Sequence, residues 1–323
     1  MRKLWLLPSL VLLLLSAPGA TGGEKGNVSV LYAGSLGALM EKSVGPAFER
    51  ASGYHYQGEG QGSVGGARAI HDRLRAPDVF ISADPAVNDR ILMGPANGGF
   101  ESWYLTFASG ELVLGYNPRS RFRDLFEQAQ AGKLPWYEVL ARPGVKLGRT
   151  DPDLDPKGYR TLFLFELAED YYKKPGLAAL LGPPGSSDQI FPEPELLIRM
   201  ESGQLDVAVF YRHEVVAHGI PYIALPGEIN QGDPRFAALY AAHSFTTTKG
   251  LKLTGSPTLF TVSVLNPAKN PAGAIAFVRF LGSAEGRALL EKAGLRAASL
   301  SLTGDASALP PELKPLIQET RSP

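Results

Sequence analysis

The stretch Tyr32-Ala33-Gly34-Ser35-Leu36-Gly37-Ala38-Leu39-Met40 decides how the chain is read. A β-rich run, Val28-Ser29-Val30-Leu31, precedes it, and a helical pattern of Leu39, Val44, Ala47 and Phe48 follows. The order is strand, small-residue turn, helix. Such a turn leaves several backbone N–H groups free at the helix start, with the positive end of the helix dipole behind them. Ser35 is an N-cap residue type, and its hydroxyl is also free to face a ligand. The result suits an anion. One capped helix start is ordinary, so the weight falls on its recurrence.

A similar turn returns at Gly58-Glu59-Gly60-Gln61-Gly62-Ser63-Val64-Gly65-Gly66, ahead of a helix with Ala67, Ile70 and Leu74 at helical spacing. Its glycines let backbone amides approach a ligand closely. No Gly-Lys-Ser/Thr follows, so it is not a Walker loop. Ala76-Pro77-Asp78-Val79-Phe80-Ile81-Ser82-Ala83-Asp84 reads as a buried strand whose Ser82 and Asp84 close a turn and cap a helix from Pro85. A third turn, Thr150-Asp151-Pro152-Asp153-Leu154-Asp155-Pro156-Lys157-Gly158-Tyr159-Arg160, follows a short strand at 145–149 and leads into a helix from about 159 to 172.

The rest alternates in the same way. Apolar runs at 103–108 and 111–118, joined by Ser109-Gly110, read as one extended segment crossing between lobes, with Tyr222-Ile223-Ala224-Leu225-Pro226 as the return crossing. Helices are expected over 124–140, 194–202, 212–219, 271–281 and 285–293, and strands over 205–211 and 260–265. The pattern predicts an α/β fold. Open α/β sheets bind ligands at the carboxyl ends of their strands, where Ser35, Ser63 and Asp155 all fall.

The chain has 323 residues, 32 Lys+Arg against 32 Asp+Glu, and no cysteine. That length predicts two domains or two lobes. A balanced charge gives no support for nucleic-acid binding, and the lack of Cys removes disulfides and thiolate chemistry. Arg2 and Lys3, the apolar run from Leu4 to Leu15, and Ser16-Ala17-Pro18-Gly19-Ala20 read as a secretory signal over residues 1–21. An uncleaved N-terminal anchor is the alternative, although the run falls short of the roughly 20 residues that a span needs. The expected division is lobe 1 over 27–107 plus 226–300, lobe 2 over 108–225, and a C-terminal tail over 301–323. The expected location is periplasmic or otherwise extracytoplasmic.

Catalytic signals are weak. His55, His71, His213, His218 and His243 are scattered, and His213 and His218 stand five apart, not the four of a zincin pair. No Gly-x-Ser-x-Gly element comes with triad partners in order. The acidic turn at 151–155 lacks the spaced ligands of an EF-hand. A binding protein fits better than an enzyme.

The blocks LYAGSLGALM (31–40), QGSVGGARAI (61–70), APDVFISAD (76–84), GRTDPDLDPKGYR (148–160), FYRHEVVAHGIPYIALPGEIN (210–230) and FTVSVLNPAKNPAGAIAFVRFL (260–281) together resemble the molybdate/tungstate-binding proteins of ABC transporters, the archaeal-type branch nearest. The resemblance implies a type II periplasmic binding protein, with two α/β lobes joined by two crossing strands and the ligand in the cleft. It implies Ser35 and Ser63 as ligands from one lobe, and Asp155 and Tyr211 from the other. Gly34, Leu36, Val64, Asp153 and Phe210 form a second set around them. Asp155 is the candidate direct ligand of the oxyanion metal. A second carboxylate of that branch falls at Phe210, which has no lone pair to give, so a six-coordinate metal is not expected. The implied partners are a membrane permease and its ATPase. The ligand is tungstate or molybdate, no cofactor is expected, and the chain is expected to be a monomer. Two other readings stand beside this one: a binding protein for sulfate or phosphate, and an extracytoplasmic phosphate or sulfate ester hydrolase.

Overall fold

The computed structural model describes residues 25–183 and 186–317. The expected signal segment and the last six residues of the expected tail lie outside the described residues.

Two sheets organise the chain. The first has six strands: β1 (Asn27–Ala33), β2 (His55–Gln61), β3 (Val79–Ser82), β4 (Trp103–Ser109), β12 (Leu259–Val264) and β13 (Arg296–Gly304), in the order β13-β4-β12-β3-β1-β2. The second has β5 (Leu112–Tyr116), β6 (Leu147–Thr150), β7 (Ile190–Phe191), β8 (Val207–Tyr211) and β9 (Tyr222–Ala224), in the order β7-β6-β8-β5-β9. A hairpin of β10 (Ser244–Thr246) and β11 (Lys252–Thr254) stands apart. In the first sheet β1 runs parallel to β2 and β3, with Val30 opposite Val79, while β12 and β13 run antiparallel to their neighbours. In the second, β6 runs parallel to β7 and β8, and β5 antiparallel to β8 and β9.

β1 is buried almost throughout because helices cover both faces. On one face Gly66, in the helix Ser63–His71, sits so close that a Cβ there would lie 3.3 Å from Leu31 and 3.5 Å from Phe80. On the other, Gly273 of the helix Pro271–Gly282 packs on Val28. Ser109 ends β4 in the first sheet and Leu112 begins β5 in the second, so only Gly110 and Glu111 lie between the sheets. The expected return crossing at 222–226 is instead mostly an edge strand of the second sheet; the chain leaves that sheet after Ala224. Residues 301–304 are not tail either. Ser301 pairs with Thr106 and Gly304 with Trp103, and beyond them Leu313 is fully buried. Leu300 and Leu302 alternate there with Ser301 and Thr303, a strand pattern that continues past residue 300. The expected helix over 124–140 is two helices, Arg123–Gln130 and Trp136–Leu140, parted by Gly132 at φ +70° and by Pro135. Among the described residues no helix is long and apolar enough to cross a membrane.

Candidate functional site

The cleft runs where the carboxyl ends of the parallel strands β1, β2, β3 and β6 face one another, together with the end of β8. Ser35 follows β1 as the middle residue of a 3-10 turn, Gly34–Leu36. The cap position is Ala33, with no side-chain capping bond, so Ser35 does not cap. Its hydroxyl is buried and finds no partner among the described residues. Ser63 opens the helix Ser63–His71 after Gly62 at the cap. Its Oγ accepts from the Ala83 amide at 3.1 Å, which leaves its own proton to give.

Asp155 caps the long helix Pro156–Tyr172, which therefore starts three residues before the expected 159. Its Oδ1 accepts from the Lys157 amide at 2.6 Å and from Thr150 Oγ1 at 3.0 Å. Pro156 at the first helical position suits a residue whose missing N–H would go unpaired there in any case. The turn before it docks on the first lobe: the Gly65 amide donates to the Leu154 carbonyl at 3.0 Å, and Arg68 to the Asp153 carbonyl at 3.1 Å.

Tyr211 ends β8, with its hydroxyl buried and unpartnered. Its ring stacks on His213, centroids 5.7 Å apart and planes 12° off parallel. His213 Nε2 in turn lies 3.1 Å from the Ser35 carbonyl. That contact places the proton on Nε2. Burial, aided by Lys157, pushes the His213 pKa down to about 3, so the ring is neutral. His213 thus links Tyr211 of one lobe to Ser35 of the other.

The second set divides. Leu36 and Val64 bury their side chains in the core, which leaves only their amides for the cleft. Asp153 Oδ1 accepts from the Thr248 amide at 2.8 Å and so is engaged outside the cleft. Phe210 is fully buried in the second lobe's own core with Leu196 and Val215. Gly34 lies against a residue the sequence reading missed. A Cβ on Gly34 would stand 1.7 Å from Glu193 Oε2.

Glu193 belongs to a buried ionic cluster. Lys157 Nζ lies 3.0 Å from Glu193 Oε1 and 2.7 Å from Glu214 Oε1, over the rings of Phe210 and Tyr211 at 5.4 and 5.8 Å. Glu214 Oε2 accepts from the Tyr211 amide at 2.7 Å at the start of the helix Arg212–His218. One ammonium serves these two carboxylates and stands near Asp155. Burial, with Glu193 as the next cause, holds the Asp155 pKa well above the usual carboxylate range; burial also raises that of Glu214. Glu193 Oε2 is buried without a partner among the described residues, and Glu193 lines, with Gly34, Ser35 and Glu214, a cavity of about 410 Å³. Asp155 is therefore not the sole carboxylate at the cleft, as the loss at Phe210 suggested. One signal was available: Lys157 sits in the first turn of a helix, where the dipole disfavours a cation unless anions surround it.

Two α/β lobes with a polar cleft at the strand ends define the type II periplasmic binding protein fold. The profile of the bacterial extracellular solute-binding proteins matches residues 28–296, and the chain belongs to that family. Among its relatives is a putative ABC transporter molybdenum-binding protein of Haloferax volcanii, 39% identical over 236 residues, 73% of this chain and 72% of the relative. The molybdate/tungstate-binding protein WtpA of Thermococcus kodakarensis is 30% identical over 89% of both chains. Among solved structures, the periplasmic molybdate-binding protein of Azotobacter vinelandii superposes with a TM-score of 0.59 at 18% identity, over 83% of this chain and 98% of that one. The sulfate-binding protein SubI of Mycobacterium tuberculosis gives 0.54 at 15% identity, over 84% and 87%. These two share the fold.

Proposed function

We propose that this chain binds tungstate or molybdate outside the cytoplasm and delivers it, as a monomer and without a cofactor, to an ABC permease and its ATPase. One observation carries the reading. Ser35 Oγ and Tyr211 OH are buried, lack a partner among the described residues, and stand on opposite lobes, with His213 stacked on Tyr211 and bonded to the Ser35 carbonyl. A buried hydroxyl without a partner costs about 1–3 kcal/mol, so two in one cleft point to an oxygen-rich ligand that both can bond. Ser63 supplies a further donor, and the amides at 34–36 open a 3-10 turn, within which they have no partner. The names of the relatives supply the metal. Asp155 Oδ1 is already engaged, so a bond from Asp155 to the oxyanion metal uses Oδ2, which faces Gly62. With Glu193 beside Gly34, the Phe210 argument no longer limits the shell to one added carboxylate oxygen.

Isothermal titration with tungstate, molybdate, sulfate and phosphate tests the reading. Tight, saturable binding of tungstate or molybdate at one site per chain is expected. Heat from none of the four would sink it, and phosphate alone would favour the second oxyanion reading.

A further inference from the structure

We infer that Glu193 decides which oxyanions the cleft accepts, by refusing fully ionised ions whose central atom takes no further oxygen, sulfate above all. This inference rests on the oxyanion reading and adds a selector to it. Glu193 is 8% exposed; Oε1 is bonded to Lys157, and Oε2 is buried with no donor among the described residues, against Gly34, the residue before Ser35. A carboxylate oxygen only accepts. The hydroxyls of Ser35 and Tyr211 adapt to a ligand by rotation, but Glu193 does not. Nor does it swing aside freely, because Lys157 holds it, and Glu214 and the helix Pro156–Tyr172 hold Lys157.

Sulfate at neutral pH has four acceptor oxygens and no proton, and its tetrahedral sulfur adds no fifth oxygen. Against Glu193 it meets acceptor on acceptor and like charge on like charge in a site that water does not relieve. A molybdenum(VI) or tungsten(VI) centre accepts additional oxygen donors. The same carboxylate then gains a partner. Discrimination of this kind comes from a built-in unfavourable contact for the wrong ligand, not only from a better fit for the right one. The lining hydroxyls alone do not provide it, since they serve any tetrahedral oxyanion.

Titration of the purified full chain separates these ideas with two substitutions on one helix. Glu193→Gln keeps the shape, leaves an oxygen for Lys157 and turns an N–H toward the ligand. Glu195→Gln removes the same charge from an exposed position paired with Arg199 at the surface. The expected result is tungstate binding by the parent with no measurable sulfate binding. Sulfate affinity should rise at least about tenfold in Glu193→Gln and stay unchanged in Glu195→Gln. A parent that binds tungstate, beside a Glu193→Gln variant as blind to sulfate as the parent, overturns the role of Glu193 and leaves the oxyanion reading standing. A parent that binds no oxyanion removes both. A rise in sulfate binding shared equally by both variants would also overturn it, since that is a general charge effect. If Glu193→Gln does not fold, Glu193→Asp, which draws the carboxylate back from Gly34 by one methylene, carries the same expectation and the same refutation.

Discussion

Ser35 and Tyr211 each carry a buried hydroxyl without a partner among the described residues. Removing either should leave the fold intact and weaken the ligand. We expect Ser35→Ala and Tyr211→Phe each to cost about 1.5–3 kcal/mol of oxyanion affinity, the range for a hydrogen bond to a charged group. Unfolding temperatures without ligand should stay level or rise, because an orphaned polar atom is lost. Tungstate titrations equal to the parent in both variants would remove these residues from the site. Glu101 makes a separate prediction far from the cleft. It is buried under Ser263 and Asn88, and burial raises its pKa to about 7. A folded-state pKa above the unfolded one gives stability that is complete below about pH 4.5 and is lost as pH rises through about 7. Glu101→Gln keeps an acceptor for Asn88 without the charge. Its unfolding temperature relative to the parent should therefore be higher at pH 8 than at pH 5. An equal difference at both pH values would show that Glu101 titrates normally.

At the scale of elements, the helix Pro156–Tyr172 matters most, and its start is fixed by contact. A Cβ at Gly158 would stand 2.5 Å from the Asp151 carbonyl carbon and 2.6 Å from Asp151 O and Pro152 N. These are backbone atoms and cannot rotate away. Gly158→Ala should destabilise the chain by more than about 2 kcal/mol in urea unfolding, and weaken oxyanion binding through the displaced Asp155 cap. A midpoint within error of the parent would show that the turn yields. The sequence reading found much at this scale. Glycine and serine after strands located the 3-10 turn Gly34–Leu36 and the helix start at Ser63, and Gly219, at φ +63°, ends the helix Arg212–His218. The helix starts at Pro156 and not at the expected 159, because a capping Asp155 makes Pro the favoured next residue. Lys157 in a first helical turn hinted at anions around it, but which ones was not legible, since its partners lie 36 and 57 residues away and no local pattern marks such a distance. Ser35 was legible as a polar turn residue, but that its hydroxyl would be orphaned follows only from packing.

Across the whole molecule, one buried ion pair ties the lobes. Asp84, at the end of β3, accepts from Tyr159 OH at 2.7 Å and from Arg160 Nη2 at 2.8 Å, both on the long helix of the second lobe. Arg160 also reaches the Ser256 carbonyl at 2.6 Å, and Gln231 Nε2 donates to the Arg160 carbonyl at 2.8 Å, both on the segment that returns from the second sheet. Removing one partner of a buried pair costs about 3–5 kcal/mol, because the other charge stays buried alone. Asp84→Asn should therefore lower the unfolding temperature and leave the lobes further apart. With saturating tungstate, small-angle scattering should give a larger radius of gyration than the parent, and tungstate affinity should fall. Identical scattering and affinity would show that the pair does not set lobe position.

The place of β13 bears on the order in which the chain is made. The second sheet draws all its strands from residues 112–224, whereas the first needs β1 from one end of the described chain and β13 from the other. β4 lies between β12 and β13 and has no sheet neighbour until residues 259–304 arrive. Pairing across such separations is slow, and unpaired strand edges invite aggregation while they wait. The second lobe is thus able to fold while the first is still open, and the last strand closes a sheet that the first strand began. Pulsed proteolysis during refolding should find residues 112–224 protected before β1 and β4; simultaneous protection would mean that the two lobes form as one cooperative unit.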